Sequence, residues 1–312
     1  MMAETGMSEG FLRVLAGARA LVRPLVPKRF RGDIPVVPVV RLSGVIGFST
    51  PLKPGVTVAG MARPLERAFD MRNARAVALV INSPGGSPVQ SHLIYRRIRQ
   101  LAEEKNRPVI AFVEDVGASG GYMVACAADE IICDVSSIVG SIGVIGGSFG
   151  FPKLMERLGI ERRLYTAGEH KATLDPFLPE NPDDVERLKA LQKEIHQGFI
   201  ALVKESRGAR LKGPENTLFS GEYWSGTKAI ELGLADGIGD LRSTLRTRFG
   251  EEVMTPLVAP ERSLFGRVRP GIGSDRDALG PGGFDPLSHG AELAGGIISA
   301  LEARALWARY GL

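Results

Sequence analysis

The sequence predicts an α/β fold in which helices flank a mainly parallel sheet. Short β-branched and apolar runs alternate with helical patterns along the chain, which is the order that such folds require. The run AVALVI at residues 76–81 is apolar at every position, as strands buried on both faces of a parallel sheet are. Glycine-rich turns follow this run and the run at 109–113, so each of these strands ends sharply.

The first predicted elements open the domain. Residues 34–42 are β-branched and apolar and predict a strand, and GVIG at 44–47 predicts the turn after it. Residues 59–71 have helical periodicity, which Pro64 interrupts. The buried strand at 76–81 comes next.

Strand and helix continue to alternate after that strand. NSPGGS at 82–87 breaks it, and residues 88–103 have the apolar spacing and the arginines of an amphipathic helix. A strand is predicted at 109–113, a buried helix of small apolar residues at 120–128, and a short strand at 130–134.

The second half of the chain contains fewer signals. Residues 181–206 predict a long helix with Asn181 or Asp183 as its N-cap. Residues 266–290 are rich in glycine and proline and predict a linker or mobile loop, and residues 291–309 predict a final helix.

The composition indicates an ordinary globular protein without a metal or cofactor. The chain has 312 residues, 44% of them hydrophobic, enough for one large domain with a sizeable core. Cys126 and Cys133 lack the spacing of a CxxC motif and are interpreted as buried thiols. His196 adjoins the apolar stripe of the helix at 181–206 and is interpreted as a surface or boundary residue. The histidines do not have metal-ligand spacing: His92, His170, His196 and His289.

Positive charge is concentrated at the N-terminus. Residues 1–31 hold six basic residues against two glutamates, an excess that equals the net charge of +4 of the chain. The remainder is near neutral, so nucleic acid is not an expected partner. Residues 11–26 are too short and too charged to span a bilayer and do not resemble a cleavable signal. A basic amphipathic helix at 11–31 on an anionic membrane and a helix docked on protein both stay open. The expected location is cytoplasmic, peripheral to the inner membrane if that helix binds it.

Ser119 lies between glycines directly after a predicted strand. In GASGGY at 117–122, small neighbours leave room for a substrate carbonyl at the hydroxyl, and a helix N-terminus supplies amides for an oxyanion. Gly85 and Gly86 follow another strand and offer further amides. These are the parts of an acyl-transfer site. The alternatives are a helix N-cap for Ser119 and a plain turn for the two glycines.

Two residues are candidates for the base that would activate Ser119. Residues 117–121 also fit Gly-x-Ser-x-Gly, the nucleophile elbow of α/β-hydrolases, which needs a later histidine, and His289 is late enough in the chain. The other candidate is Lys171, in an irregular segment. A lysine acts as a base only where burial lowers its pKa, so a solvated surface lysine is the alternative interpretation.

Five motifs occur in an order that is found in one known family. They are SPGG at 83–86, ASGGY at 118–122, VGSIGVI at 139–145, GEHK at 168–171, and YWSG at 223–226 with AIELGLAD at 229–236. On these motifs the chain resembles the signal peptide peptidase A family of bacterial serine proteases, over roughly residues 36–245. The resemblance implies a Clp protease and crotonase type of fold and a Ser-Lys catalytic dyad without a cofactor.

The resemblance also implies a role for each matching residue. Ser119 is similar to the family's nucleophile and Lys171 to its general base. Ser141 corresponds to the residue that hydrogen-bonds and orients the lysine. The oxyanion would be stabilised by Gly85 or Gly86 and by the amide of Gly120.

The length of the chain resembles that of the single-domain members of the family. In these, serine and lysine come from neighbouring protomers of a closed ring, which implies a homo-oligomer that admits extended segments. The implied substrates are small apolar-rich peptides such as remnant signal peptides. The implied domains are a basic arm at 1–31, a peptidase domain at 34–245 and a C-terminal extension at 246–312. A spanning helix is usual at the N-terminus of the family, where this sequence has the basic arm.

Three other functions remain as alternatives. A crotonase-like enzyme would act on acyl thioesters, with glycine amides polarising the carbonyl and no attack by serine. A Ser-His hydrolase would use His289. A catalytically silent scaffold would bind a membrane surface through the basic arm.

Overall fold

The computed structural model describes residues 34–47 and 56–259, together with residues 304, 305, 307, 308, 310 and 311. The basic arm at 1–31, the segment at 266–290 with His289, and most of the predicted helix at 291–309 lie outside the described residues.

One sheet of seven strands organises this part of the chain. Its main path runs β1-β2-β3-β4-β7 and is parallel throughout, while β5 pairs in parallel with the end of β3 and β6 pairs antiparallel with β5. The strands are β1 (Val39–Ser43), β2 (Val77–Ser83), β3 (Val109–Ala118), β4 (Glu130–Cys133), β5 (Ile138–Gly140), β6 (Tyr223–Ser225) and β7 (Gly237–Ile238). The predicted α/β class with a mainly parallel sheet is confirmed and agrees with the expected Clp protease and crotonase type of fold.

Helices cover both faces of the sheet. They are α1 (Val58–Phe69), α2 (Pro88–Lys105), α3 (Gly120–Ala125), α4 (Pro152–Arg157), α5 (Pro182–Arg207), α6 (Glu215–Leu218), α7 (Gly226–Glu231) and α8 (Leu241–Phe249). Asn181 is the N-cap of α5, because its side chain accepts the Asp183 N–H. On β2, Leu79 and Ile81 pack in the larger core cluster, whereas Ala78 and Val80 pack in a second cluster with Leu245 of α8. Burial on both faces explains why this strand is apolar at successive positions.

The bounds of the first elements differ from the prediction. β1 begins at Val39 instead of residue 34, since Pro38 has no N–H to donate to the ladder and Val36 makes only isolated bridges. Pro64 does not interrupt α1 but lies buried inside it. β3 continues to Ala118 instead of ending at Val113, because its last residues pair with β5.

Several elements were not predicted, namely β5, β6, β7, α4, α6, α7 and α8. The three strands have only two or three residues each, too few to show a period of two. The predicted helix at 120–128 ends early, at Ala125.

The chain after α8 runs alongside β1. The Val37 N–H donates to the Met254 carbonyl and the Val258 N–H to the Val39 carbonyl, both at 2.8 Å. The structural unit therefore continues beyond residue 245. Near the C-terminus, Tyr310 packs against Val116 and Ala118 at the end of β3. No helix in the described ranges has the length and hydropathy that crossing a membrane requires.

Candidate active site

Ser119 lies in a strained turn between β3 and α3. Its backbone has φ 53° and ψ −122°, a region that residues with a side chain rarely adopt. The Ser119 N–H donates to the Gly140 carbonyl of β5 at 2.8 Å, and its carbonyl accepts the Met123 N–H of α3 at 3.0 Å. A sharp turn from strand to helix exposes the serine hydroxyl in nucleophile elbows, and the same local geometry is present here.

The Ser119 hydroxyl makes no hydrogen bond within the part of the chain that the structure describes. Ser119 is the N-cap residue of α3, but its side chain accepts no capping hydrogen bond. The hydroxyl also has no hydrogen-bond partner elsewhere in the described ranges, and the residue is partly exposed. Ser119 therefore occupies the N-cap position in a tight turn, as the alternative interpretation expects, but its side chain does not cap the helix. A hydroxyl left unpaired in a strained turn is available for chemistry.

Gly85 allows the turn after β2 to lie directly against the serine. It has φ +99°, and a β-carbon at this position would be 2.8 Å from Ser119 Cβ and 2.7 Å from the Gly120 nitrogen. Both distances are shorter than real carbon contacts. Gly120 is equally constrained, since its β-carbon would be 2.3 Å from Ser91 Oγ. The glycines flanking this site therefore provide close packing as well as turn geometry.

Two backbone amides beside the serine are unpaired within the described chain. Gly85, one of the candidate donors, already donates its N–H to Ser83 Oγ at 3.2 Å. The N–H groups of Gly86 and Gly120 have no partner among the described residues. Gly120 is the first residue of α3, where helix amides lack intrahelical acceptors. The arrangement can thus offer one amide from each of two turns to an oxyanion beside Ser119.

Ser141 directly follows β5, next to the serine turn. The register pairs Ala118 with Gly140, so the residues after these two lie at adjacent strand ends. Ser141 is buried, has φ 53°, and donates its N–H to the Glu222 carbonyl at 2.7 Å. The structure therefore brings Ser141 together with Ser119, Gly86 and Gly120.

The structure does not connect Lys171 to this group of residues by a hydrogen bond within the described chain. It is exposed in a turn, where its N–H donates to the Gly168 carbonyl at 3.3 Å. No hydrogen bond or ion pair joins its amine to Ser119 or Ser141 within the described residues. The turn is nevertheless anchored, because Asp175 pairs with Arg162 at 2.7 Å and its carboxylate is nearly buried. A single chain thus presents the candidate lysine in a fixed but solvent-exposed position.

The two cysteines are free and buried, as predicted. Burial raises the pKa of Cys126 to about 11. Burial, assisted by the nearby Asp134 and Asp236 charges, raises the pKa of Cys133 to about 11 as well. A neutral buried thiol is a poor nucleophile, which leaves Ser119 as the better candidate. Among the residues that the structure describes, no group of three or more acidic, histidine or cysteine side chains is placed to hold a metal ion.

The close contact at Gly85 allows a test by substitution. Gly85→Ala should lower the rate at which Ser119 is acylated by about 100-fold, because the new methyl group displaces the serine. Gly44→Ala is the matched control: Gly44 also has positive φ, at +106°, but a β-carbon there meets nothing within 4 Å. Thermal unfolding of both variants measures the strain of a β-carbon at positive φ, which they share. Their rates of labelling by a serine-directed fluorophosphonate measure the displacement of Ser119, which is expected only in Gly85→Ala. Equal labelling rates in both variants would contradict the contact.

Comparison with known proteins identifies the domain. The sequence model described as peptidase family S49 matches residues 101–251. The chain carries a peptidase family S49 domain. S49 is a family of serine peptidases. Several relatives of this chain are likewise named as proteases. A putative protease of Methanocaldococcus jannaschii is 35% identical over 174 residues, which is 56% of this chain and 55% of that protein. The chloroplastic serine protease SPPA of Arabidopsis thaliana is 34% identical over 173 residues, 55% of this chain and 25% of that protein.

A longer relative has a different name. The Na(+)/H(+) antiporter NhaA of Brucella abortus is 55% identical over 293 residues, which is 94% of this chain and 39% of that protein. That name describes the longer protein and is not transferred here. The chain therefore spans about two fifths of the Brucella relative and about half of the Methanocaldococcus one.

One solved structure aligns with most of the chain. The 1510-N membrane-bound stomatin-specific protease in complex with a substrate peptide is 17% identical, with a TM-score of 0.47, and covers 73% of this chain and 94% of that chain. The predicted resemblance to the signal peptide peptidase A family is confirmed by the S49 match and by the relatives named as proteases.

Proposed function

We propose that the S49 domain is a serine endopeptidase that uses a Ser119–Lys171 dyad. The observation that carries this proposal is the Ser119 hydroxyl, which has no hydrogen-bond partner among the described residues and is held in a strained turn beside the Gly86 and Gly120 amides, equally without partners there. Amides placed in this way stabilise the charge that develops on a carbonyl oxygen under attack. Small apolar-rich peptides, such as remnant signal peptides, are the proposed substrates.

The proposed reaction proceeds through an acyl-enzyme. Ser119 Oγ attacks the peptide carbonyl carbon while its proton passes to the amine of Lys171. The carbon–nitrogen bond then breaks, and the leaving amine takes that proton. Water hydrolyses the ester, which releases the acid product and restores the serine hydroxyl. Ser141, beside the nucleophile, is proposed to hydrogen-bond and orient the lysine.

A second copy of the chain is proposed to complete the site. No residue from 143 to 183 is buried, and α4 buries none of its side chains. Large apolar side chains are exposed throughout this segment: Ile145, Phe149, Phe151, Leu154, Leu158, Ile160, Leu164, Tyr165 and Leu178. Contiguous exposed apolar surface is typical of protein interfaces. Because Lys171 lies in the same segment, docking on a neighbouring protomer would bury the lysine and bring it to that protomer's Ser119 in a closed ring.

The test of the function is covalent labelling of the assembled protein. A serine-directed fluorophosphonate should modify Ser119, as mapped by mass spectrometry of peptides, and Ser119→Ala should abolish the adduct. A thioester enzyme without an attacking serine, or a silent scaffold, would remain unlabelled. Labelling of Ser119 that persists in Lys171→Ala would contradict the lysine base and favour a Ser-His hydrolase.

The proposed location is the cytoplasmic side of the membrane, with the arm at 11–31 on the lipid surface. This proposal rests on the basic and apolar sequence of the arm. Co-sedimentation of the full chain with anionic vesicles tests it. Binding that does not weaken when Arg13, Arg19 and Arg23 are replaced by serine would exclude the arm as the contact.

A further inference from the structure

We propose that His196 of α5 is a positioning residue that holds Ser141 in place beside the nucleophile. The inference rests on the proposed Ser119–Lys171 function and extends it to a histidine that the sequence analysis interpreted only as a surface or boundary residue. The segment that follows β5, residues 141–147, is named the Ser141 segment.

The Ser141 segment runs along α5 without regular secondary structure. His196 Nε2 is 3.0 Å from the Ile142 carbonyl oxygen. Since a carbonyl oxygen only accepts, Nε2 carries the hydrogen and donates it. Farther along, a β-carbon at Gly146 would be 2.7 Å from Gln192 Nε2, so the segment lies close against the helix one turn before His196. His196 is thus the polar anchor between α5 and the part of the segment nearest the active site.

Ser141 needs such an anchor because its backbone is strained. Its φ of 53° is unusual for a residue with a β-carbon and persists only where the surroundings hold it. On one side of the residue, the Ser141 N–H donates to the Glu222 carbonyl at 2.7 Å. On the other side, the next carbonyl, that of Ile142, accepts from His196. The two hydrogen bonds hold the peptide unit before the strained residue and the second peptide unit after it.

The Ser141 segment is connected to the nucleophile through one residue. Gly140, which precedes Ser141, accepts the Ser119 N–H at 2.8 Å. Loss of the His196 bond would let Ser141 relax from its strained conformation. The lysine would then lose its orienting partner, while the peptide-binding surface made by other elements would stay in place. The expected consequence is a slower chemical step with little change in KM.

The test compares two substitutions of His196. His196→Leu removes the donor, and we expect kcat to fall about 10- to 100-fold with KM changed less than about threefold. His196→Gln retains an amide donor at the ε position and should recover most of kcat. Gln197→Leu, an exposed polar position next along α5, is the matched control and should leave kcat unchanged. Failure of the glutamine to rescue, or an unchanged kcat in the leucine variant, would overturn the proposal.

A double substitution tests whether His196 acts through Ser141. In a Ser141→Ala background, His196→Leu should lower kcat by less than about threefold, since the residue it positions is already absent. Additive losses would overturn the proposal.

Hydrogen exchange separates this inference from the proposed function. In His196→Leu, the Ser141 amide should exchange at least about tenfold faster while amides of β2 and β3 keep their protection. This measurement needs no catalysis. If fluorophosphonate does not label the wild-type protein, the proposed function fails; if Ser141 exchange is unchanged in His196→Leu, the anchoring fails.

Discussion

Ser119→Ala and Lys171→Ala should each lower peptide hydrolysis by about 10⁴-fold or more, because neither member of a nucleophile–base pair works alone. Both side chains are outside the core, Ser119 being partly exposed and Lys171 exposed, so the fold should survive. The measurement is turnover of an apolar fluorogenic peptide, with thermal unfolding as the check on folding. Lys212→Ala, another exposed lysine, is the matched control and should retain activity. Robust turnover in either active-site variant would contradict the dyad.

Mixing the two inactive variants should restore activity if each site is shared between protomers. In a ring assembled from equal amounts of Ser119→Ala and Lys171→Ala chains, about a quarter of the interfaces would combine an intact serine with an intact lysine. The mixture should therefore regain about a quarter of wild-type turnover after co-refolding or subunit exchange. A mixture of Ser119→Ala with the double variant cannot form an intact site and is the control. No recovery in a mixture shown to co-assemble would place both residues in one protomer.

The buried strand β2 and the turn that holds Ser119 could be predicted because local sequence determines them. The apolar run at 76–81 requires burial on both faces, and the structure buries both. The glycines around Ser119 require a tight turn, and the structure places one there. The Asn181 cap was likewise one of two predicted possibilities. These features depend on a few adjacent residues, so the sequence pattern was sufficient.

The surroundings of Ser119 could not be predicted in the same way. The pairing of β5 with the end of β3 brings Ser141 to Ser119, and β5 has only three residues. The bond from His196 to the Ile142 carbonyl joins residues 54 apart, and a histidine beside an apolar stripe is usually a boundary residue. The exposure of the segment around Lys171 in a single chain depends on the tertiary structure and could not be read from the sequence.

Arg207→Met should lower the free energy of unfolding by about 3–5 kcal/mol, because the half-buried Asp236 carboxylate loses its bidentate partner and keeps only the more distant Arg210 as a cation, at 3.5 Å. Arg207 is among the largest fully buried side chains and donates to both carboxylate oxygens of Asp236 at 2.8 Å. Its Nε also donates to the Gly233 carbonyl at 2.9 Å. This side chain therefore ties the end of α5 to the turn before β7. Asp236 is the last residue of the AIELGLAD motif, and its ion pair with Arg207 gives this residue a structural role.

Removing the negative charge of Asp236 as well should recover part of the stability lost in Arg207→Met. Asp236 also accepts the Ile131 N–H at 2.8 Å, a bond that its asparagine analogue can keep. The double variant Arg207→Met with Asp236→Asn should therefore be more stable than Arg207→Met alone. Lys228→Met breaks an exposed ion pair with Glu231 and should change stability by less than about 1 kcal/mol. Chemical denaturation of all four proteins at one pH gives these differences.

The pH dependence distinguishes a lost ion pair from a mere loss of packing. Burial alone would raise the pKa of Asp236, but the hydrogen bonds from Arg207 and Ile131 and the charges of Arg207 and Arg210 hold it below its usual value. Since the unfolded carboxyl then binds its proton first, the wild-type contribution is complete above about pH 4 and is lost as the pH falls below that value.

Without Arg207, burial of the Asp236 carboxyl is opposed by fewer partners, the Ile131 N–H and Arg210 at 3.5 Å, so we expect its pKa to rise and the folded variant to bind its proton before the unfolded chain does. The stability of Arg207→Met should consequently rise relative to wild type as the pH is lowered from about 7 to about 5. Asp236→Asn, which has no proton to bind, should remove this gain from the double variant. A difference in stability between Arg207→Met and wild type that stays constant across this range would mean that lost packing, and not the lost Arg207–Asp236 ion pair, accounts for the destabilisation.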